Sequence, residues 1–203
     1  MSKTINAYNP VLEEAIQFAT ERHAGQLRKG TNFPYITHPL ETMNILNTMS
    51  ADTNLLIAGV LHDTVEDTDT TLDEIRNLFG EDVAALVAAH TEDKSRSWIE
   101  RKQHTINELQ TAPLRVKMLI MADKVSNLRS MYTDYNLVGD ELWKRFNAPK
   151  EKQAWYYSEI QNALYELENS EDTQRIYWEM AELFRNLFIP SPMNESHKSP
   201  STN

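Results

Sequence analysis

Residues 55–69 read Leu-Leu-Ile-Ala-Gly-Val-Leu-His-Asp-Thr-Val-Glu-Asp-Thr-Asp. Seven apolar or small residues run straight into His62, Asp63, Glu66, Asp67 and Asp69. The apolar part has the look of a buried helix, and its end carries a histidine and several acids. His62 taken singly has an ordinary reading as a hydrogen-bonded core or cap residue. Asp63 weakens that reading, because a buried carboxylate without a cation partner is costly. Asp63, Glu66 and Asp67 fall at i, i+3 and i+4, so they share one helical side. Like charges crowded there are unfavourable without a counter-ion, and a divalent cation would resolve the conflict.

The rest of the chain fits a helical frame around this segment. The 203 residues suffice for one domain with a real core, and only five are glycine. Stretches with 3.6-residue periodicity predict helices near 9–24, 39–49, 53–66, 71–79, 81–92, 97–110, 113–131, 140–146, 149–168 and 172–188. Pro39, Pro113 and Pro149 fall where a first helical turn tolerates a missing N–H. Thr71-Leu-Asp-Glu74 reads as a capping box, and Gly80 fits the close of that helix. No useful β alternation, GxGxxG or GxxxxGK[ST] loop is found, which removes the common nucleotide folds. The expected fold is all-α, a single bundle of about ten helices spanning residues 1–190, with a disordered Ser/Pro/Asn-rich tail over 191–203.

Composition narrows the chemistry. With no cysteine there is no disulfide or thiolate site, so a metal must be held by histidine and carboxylate. The formal charge of −10 disfavours nucleic acid as a partner. It does not exclude a small anion in a locally cationic pocket. No signal pattern or membrane-length apolar run is present, so a soluble cytoplasmic protein is the expectation.

Two further ligand candidates sit in matching settings. His38 precedes Pro39, at or beside a helix start with a restricted backbone. Asp123 is the one acid within Val116-Lys-Met-Leu-Ile-Met-Ala-Asp-Lys-Val-Ser-Asn-Leu-Arg129. An ion pair with Lys117 or Lys124 on a solvated face is its simpler reading. The apolar residues Met118 to Ala122 favour a buried helix instead.

His38, His62–Asp63 and Asp123 together resemble the H…HD…D metal set of the HD-domain phosphohydrolases. The flanking segments HAGQLRKGTNFPYITHP (23–39), LHDTVEDTDTTLDEIRNLFG (61–80) and MADKVSNLRSM (121–131) are similar to the hydrolase domain of the RelA/SpoT homologues. Chain length and the lack of a synthetase region add a likeness to stand-alone small alarmone hydrolases. The resemblance implies a helical HD domain that binds one Mn²⁺ and removes the 3′-pyrophosphate of (p)ppGpp, an alarmone of the stringent response. It implies His38, His62, Asp63 and Asp123 as ligands and Glu66–Asp67 as the catalytic pair. Mixed imidazole and carboxylate ligands suit Mn²⁺, Fe²⁺ or Zn²⁺ alike. Such an ion lowers the pKa of its water and polarises a phosphoryl group. Glu66 and Asp67 are placed to orient that water and move its proton.

A polyphosphorylated nucleotide also needs cations and a flat wall. Arg28 and Lys29 lie in the glycine- and proline-rich loop 25–39, where function is more common than packing. The resemblance places them at the nucleotide site, with Tyr35 on the same wall and Asn127 as a nucleotide contact. Lys94, Arg101 and Lys102 add positive charge, while Arg129 has the competing reading of bracing an acid. Phe146, Trp155, Tyr156 and Tyr157 read as packing residues. Trp98 and the segment 145–157 depart from the pattern expected of the animal relatives. Two alternatives therefore stay open: removal of the 2′-phosphate of NADPH, and a nucleotide-sensing scaffold without turnover.

Overall fold

Side-chain caps start four of the ten α-helices in this computed structural model, which describes residues 9–189. The Asn9 side chain accepts hydrogen bonds from the amides of Val11 and Leu12 and starts α1 (Pro10–Arg22), with Pro10 in the first turn. Asp52 does the same at the amides of Asn54 and Leu55 for α3 (Thr53–Leu61). Between them lies α2 (Thr37–Met49). A single turn, α4 (Thr64–Asp67), is followed by α5 (Leu72–Phe79) and α6 (Glu81–His90). Ser97 and Glu100 form a reciprocal capping box at the start of α7 (Trp98–Leu109). The long α8 (Leu114–Val138) leads into α9 (Lys150–Ala163) and α10 (Gln174–Phe188). Two 3-10 helices, Gly139–Arg145 and Tyr165–Asn169, flank α9. The described residues contain no strand, only an isolated bridge between Leu27 and Pro34.

Core placement follows apolarity. Every residue from Leu55 to Leu61 is buried, because α3 is enclosed by α1, α2, α6 and α8. The first half of α8 is buried from Val116 to Ser126 and packs on α2, α3, α6 and α10. This all-α architecture agrees with the sequence reading. No helix among the described residues is long and apolar enough to cross a membrane. The tail expected over 191–203 lies outside the described residues.

Four local expectations need correction. The helix expected over 53–66 is broken at His62–Asp63, where side chains take over the carbonyls that end α3. His62 Nδ1 lies 2.8 Å from the Gly59 carbonyl, and Thr64 Oγ1 donates to the Leu61 carbonyl at 2.7 Å. The helix expected over 113–131 continues to Val138 and stops at Gly139, whose φ of 58° suits glycine. The segments near 140–146 and at the end of 149–168 are 3-10 rather than α. In the second, Leu164 and Leu167 are both buried, and the i, i+3 eclipsing of a 3-10 turn brings them onto one side. Thr71 caps α5 through the Glu74 amide, but the Glu74 carboxylate pairs with Arg22 and does not reach back.

At Gly59 α3 lies close against α2. A Cβ there would lie 2.5 Å from Leu46 Cδ1 and 3.3 Å from Met43 Cα. Gly59→Val is therefore expected to cost about 1–3 kcal/mol through overpacking, measured by urea unfolding. A midpoint equal to that of the unchanged protein would contradict this close contact.

Candidate functional site

The break after α3 turns His62 and Asp63 toward the start of α2 and the middle of α8. Ligand atoms meet there in two overlapping groups, His38, His62 and Asp123, and His62, Asp63 and His90. His62 Nε2 lies 3.1 Å from Asp63 Oδ2, 3.3 Å from His38 Nε2 and 3.8 Å from Asp123 Oδ1. His38 Nε2 lies 3.2 Å from Asp123 Oδ1 and 3.5 Å from Asp63 Oδ2. Neighbouring ligands on an ion with bonds of about 2.1 Å sit roughly 3.0–3.4 Å apart. Three of the five spacings fall in that range, and the His38–Asp63 and His62–Asp123 spacings of 3.5 and 3.8 Å are longer.

Hydrogen bonds assign the imidazole tautomers. Ser126 Oγ donates its one hydrogen to Glu41 Oε2 at 2.7 Å, so it accepts from His38 Nδ1 at 2.8 Å. His62 Nδ1 must donate to the Gly59 carbonyl. In the neutral rings both Nε2 atoms then present lone pairs to the centre, facing two carboxylate oxygens. Two imidazole lone pairs and two carboxylates turned toward a buried centre fit a divalent cation.

In the metal-free protein that demand falls on a proton. Burial opposes charge on His62, but Asp63 and Asp123 outweigh it and raise the pKa to about 9. Burial lowers the His38 pKa, with Asp123 opposing. For Asp63 burial acts upward, yet the facing histidines hold the carboxyl far below its usual range. Asp123 is likewise held low against burial, by Lys124 and by the hydrogen bond from His90.

Glu66 and Asp67 on α4 face the same cleft. Glu66 is pushed upward by burial and by the charge of Asp63. Lys94 Nζ donates to the Glu66 carbonyl at 2.7 Å and to Asp67 Oδ1 at 2.6 Å. Tyr35, expected only to shape a wall, donates its hydroxyl to Asp63 Oδ2 at 2.5 Å, with Asp67 Oδ2 at 3.3 Å from the same oxygen. It thus joins the ligand cluster to the acidic pair. The Arg28 guanidinium is 3.4 Å from Asn127 Oδ1, while Asn127 Nδ2 donates to Asp123 Oδ1 at 2.6 Å. Lys29 lies 5.5 Å over the Phe146 ring. Ten of the eleven sequence candidates line this cleft or its ligand cluster, and Lys94 reaches its acidic pair from the side.

The cleft has two adjoining lobes of about 280 and 310 Å³, the first over the ligands and the second toward Tyr156 and Tyr157. Phe146, Tyr156 and Tyr157, read as packing residues, also border the second lobe. Asp123 does pair with Lys124, at 2.6 Å, but in a buried setting, while Lys117 pairs with Glu166. Arg129 braces Glu41 and Glu179. Sequence reasoning missed His90, whose Nε2 lies 3.1 Å from Asp123 Oδ2. A signal was present: Val83 to Asp93 repeats the pattern of an apolar helix ending in histidine and then acids.

Comparison with known proteins matches residues 15–149 to the HD domain family. The chain is 40% identical over 138 residues to the MESH1 guanosine-3′,5′-bis(diphosphate) 3′-pyrophosphohydrolase of Danio rerio, covering 66% of this chain and 73% of that protein. A solved metazoan orthologue of SpoT, described as hydrolysing ppGpp and playing a role in starvation responses, superposes with a TM-score of 0.73. It is 28% identical and the match covers 89% of this chain and 97% of the other. A solved Listeria monocytogenes EGD-e protein is 40% identical with a TM-score of 0.69, over 74% of this chain and 98% of its own.

The His62 shift carries a testable sign. Its pKa rises from 6.5 to about 9, so its pairing with Asp63 is fully stabilising below pH 6.5 and is lost as pH passes about 9. Chelator-treated protein is expected to lose thermal stability across that window. Protein loaded with a divalent ion is expected to hold its stability there, because the ion replaces the proton. Thermal melts of both forms check this, and a pH-independent chelated form would contradict it.

Proposed function

The chain belongs to the HD domain family, and from that premise we propose a divalent-metal-dependent hydrolase that removes the 3′-pyrophosphate of (p)ppGpp. GDP or GTP and pyrophosphate are the products. The observation that carries the reading is a buried acceptor cluster adjoining a half-buried glutamate, in a chain 40% identical to a ppGpp 3′-pyrophosphohydrolase. Residues 1–190 act as one hydrolase domain, and a cytoplasmic location belongs to the same proposal.

His38, His62, Asp63 and Asp123 hold the ion, which we take to be a single Mn²⁺. When bound, such an ion supplies Lewis-acid polarisation of phosphoryl oxygen and eases deprotonation of water. Glu66 takes up the proton of the attacking water, and its raised pKa suits that task near neutral pH. Asp67, held by Tyr35 and Lys94, orients the same water. Lys94 meets the departing pyrophosphate, exchanging its contact with Asp67 for phosphate oxygen. Arg28, Lys29 and Asn127 bind the nucleotide, with the Arg28 plane suited to stacking on a base. Tyr35 positions Asp63 rather than the base.

Purified Mn²⁺-loaded protein is expected to release pyrophosphate from ppGpp. Glu66→Gln should lower kcat by about 10²-fold or more while metal uptake persists, and Asp63→Ala should lose metal and activity together. Product chromatography with ppGpp, pppGpp and NADPH in parallel makes the test. Phosphate release from NADPH with ppGpp untouched would overturn the substrate assignment, and nucleotide binding without turnover would overturn the enzyme assignment.

A further inference from the structure

Asp123 has more partners than a metal ligand needs. An ionised carboxylate offers about four lone-pair sites, two on each oxygen. Asn127 Nδ2 takes one on Oδ1 at 2.6 Å. On Oδ2, Lys124 Nζ takes one at 2.6 Å and His90 Nε2 the other at 3.1 Å. The remaining site on Oδ1 faces His38 Nε2 at 3.2 Å and His62 Nε2 at 3.8 Å.

His90 is well placed to hold its share. It closes α6, its side chain is 8% exposed, and its ring meets the His62 ring edge-on at 4.6 Å between centroids. Its Nδ1 has no hydrogen-bond partner, so nothing competes with the Asp123 carboxylate for the Nε2–H tautomer. Lys124 alone leaves half of Oδ2 open. A carboxylate free to turn can bind an ion through both oxygens.

We propose that His90 is a positioning residue that keeps Asp123 a one-oxygen ligand, leaving a coordination place free for water or substrate phosphate. This rests on the metal reading above. His90 also stands within ligand distance of His62 and Asp63, but its Nε2 is turned to Asp123 Oδ2, so the role concerns the shape of the site.

Cobalt(II) provides the probe, because its visible absorption weakens as coordination number rises. In His90→Leu the visible band is expected to lose about half its intensity, and kcat on ppGpp to fall roughly 10–100-fold with KM nearly unchanged. His90→Gln, whose amide N–H can reach the same oxygen, is expected to recover the original spectrum and most of kcat. Thermal melts accompany each variant. A His90→Leu protein with the original cobalt spectrum overturns the proposal, even if it is slower or less stable. A spectral change that His90→Gln does not reverse also overturns it. Failure of the unchanged protein to take up cobalt sinks the metal reading itself, a result distinct from either.

Discussion

Two bare imidazole nitrogens and two carboxylate oxygens, 3.1–3.8 Å from one another where measured and shielded from solvent, cannot satisfy each other. They need a positive charge at their centre, and the surrounding structure is arranged to preserve that need. Gly59 and the Ser126–Glu41 pair occupy both Nδ1 atoms. Asn127, Lys124 and His90 take up the outer lone pairs of Asp123, while Tyr35 ties Asp63 to Asp67. Each contact restricts an acceptor to one direction, which is what outer partners of a metal site do.

The helices deliver those groups from rigid places. His38 comes from the first turn of α2, His62 and Asp63 from the break that ends α3, and Asp123 from the buried part of α8. Buried helices fix ligand positions better than loops can. The groups proposed to handle the nucleotide are carried differently: Arg28 and Lys29 lie on the loop between α1 and α2, and Lys94 between α6 and α7. That division suits a reaction in which the centre stays still while cations adjust to a large anion.

The parts legible in the sequence were those written as residue type against an apolar background. An acid inside α8 and a histidine at the end of α3 stand out because their surroundings would otherwise be hydrocarbon. The all-helical class followed from periodicity for the same reason. What stayed hidden depends on geometry that spacing does not encode. Periodicity runs through His62 without showing that its own ring, with Thr64, ends the helix. Tyr35 offers a flat ring and a hydroxyl, and only the fold reveals that the hydroxyl meets two acids. Glu74 had two possible partners, and Arg22 from α1 won over the local backbone. His90 looked like a helix end until α8 brought Asp123 beside it.

The central claim is that these four side chains surround one divalent ion. Anomalous diffraction at the manganese edge from Mn²⁺-soaked crystals tests it most directly. A single strong peak is expected about 2.1 Å from His38 Nε2, His62 Nε2, Asp63 Oδ2 and Asp123 Oδ1. A peak elsewhere, with these four atoms left without an ion between them, would contradict it.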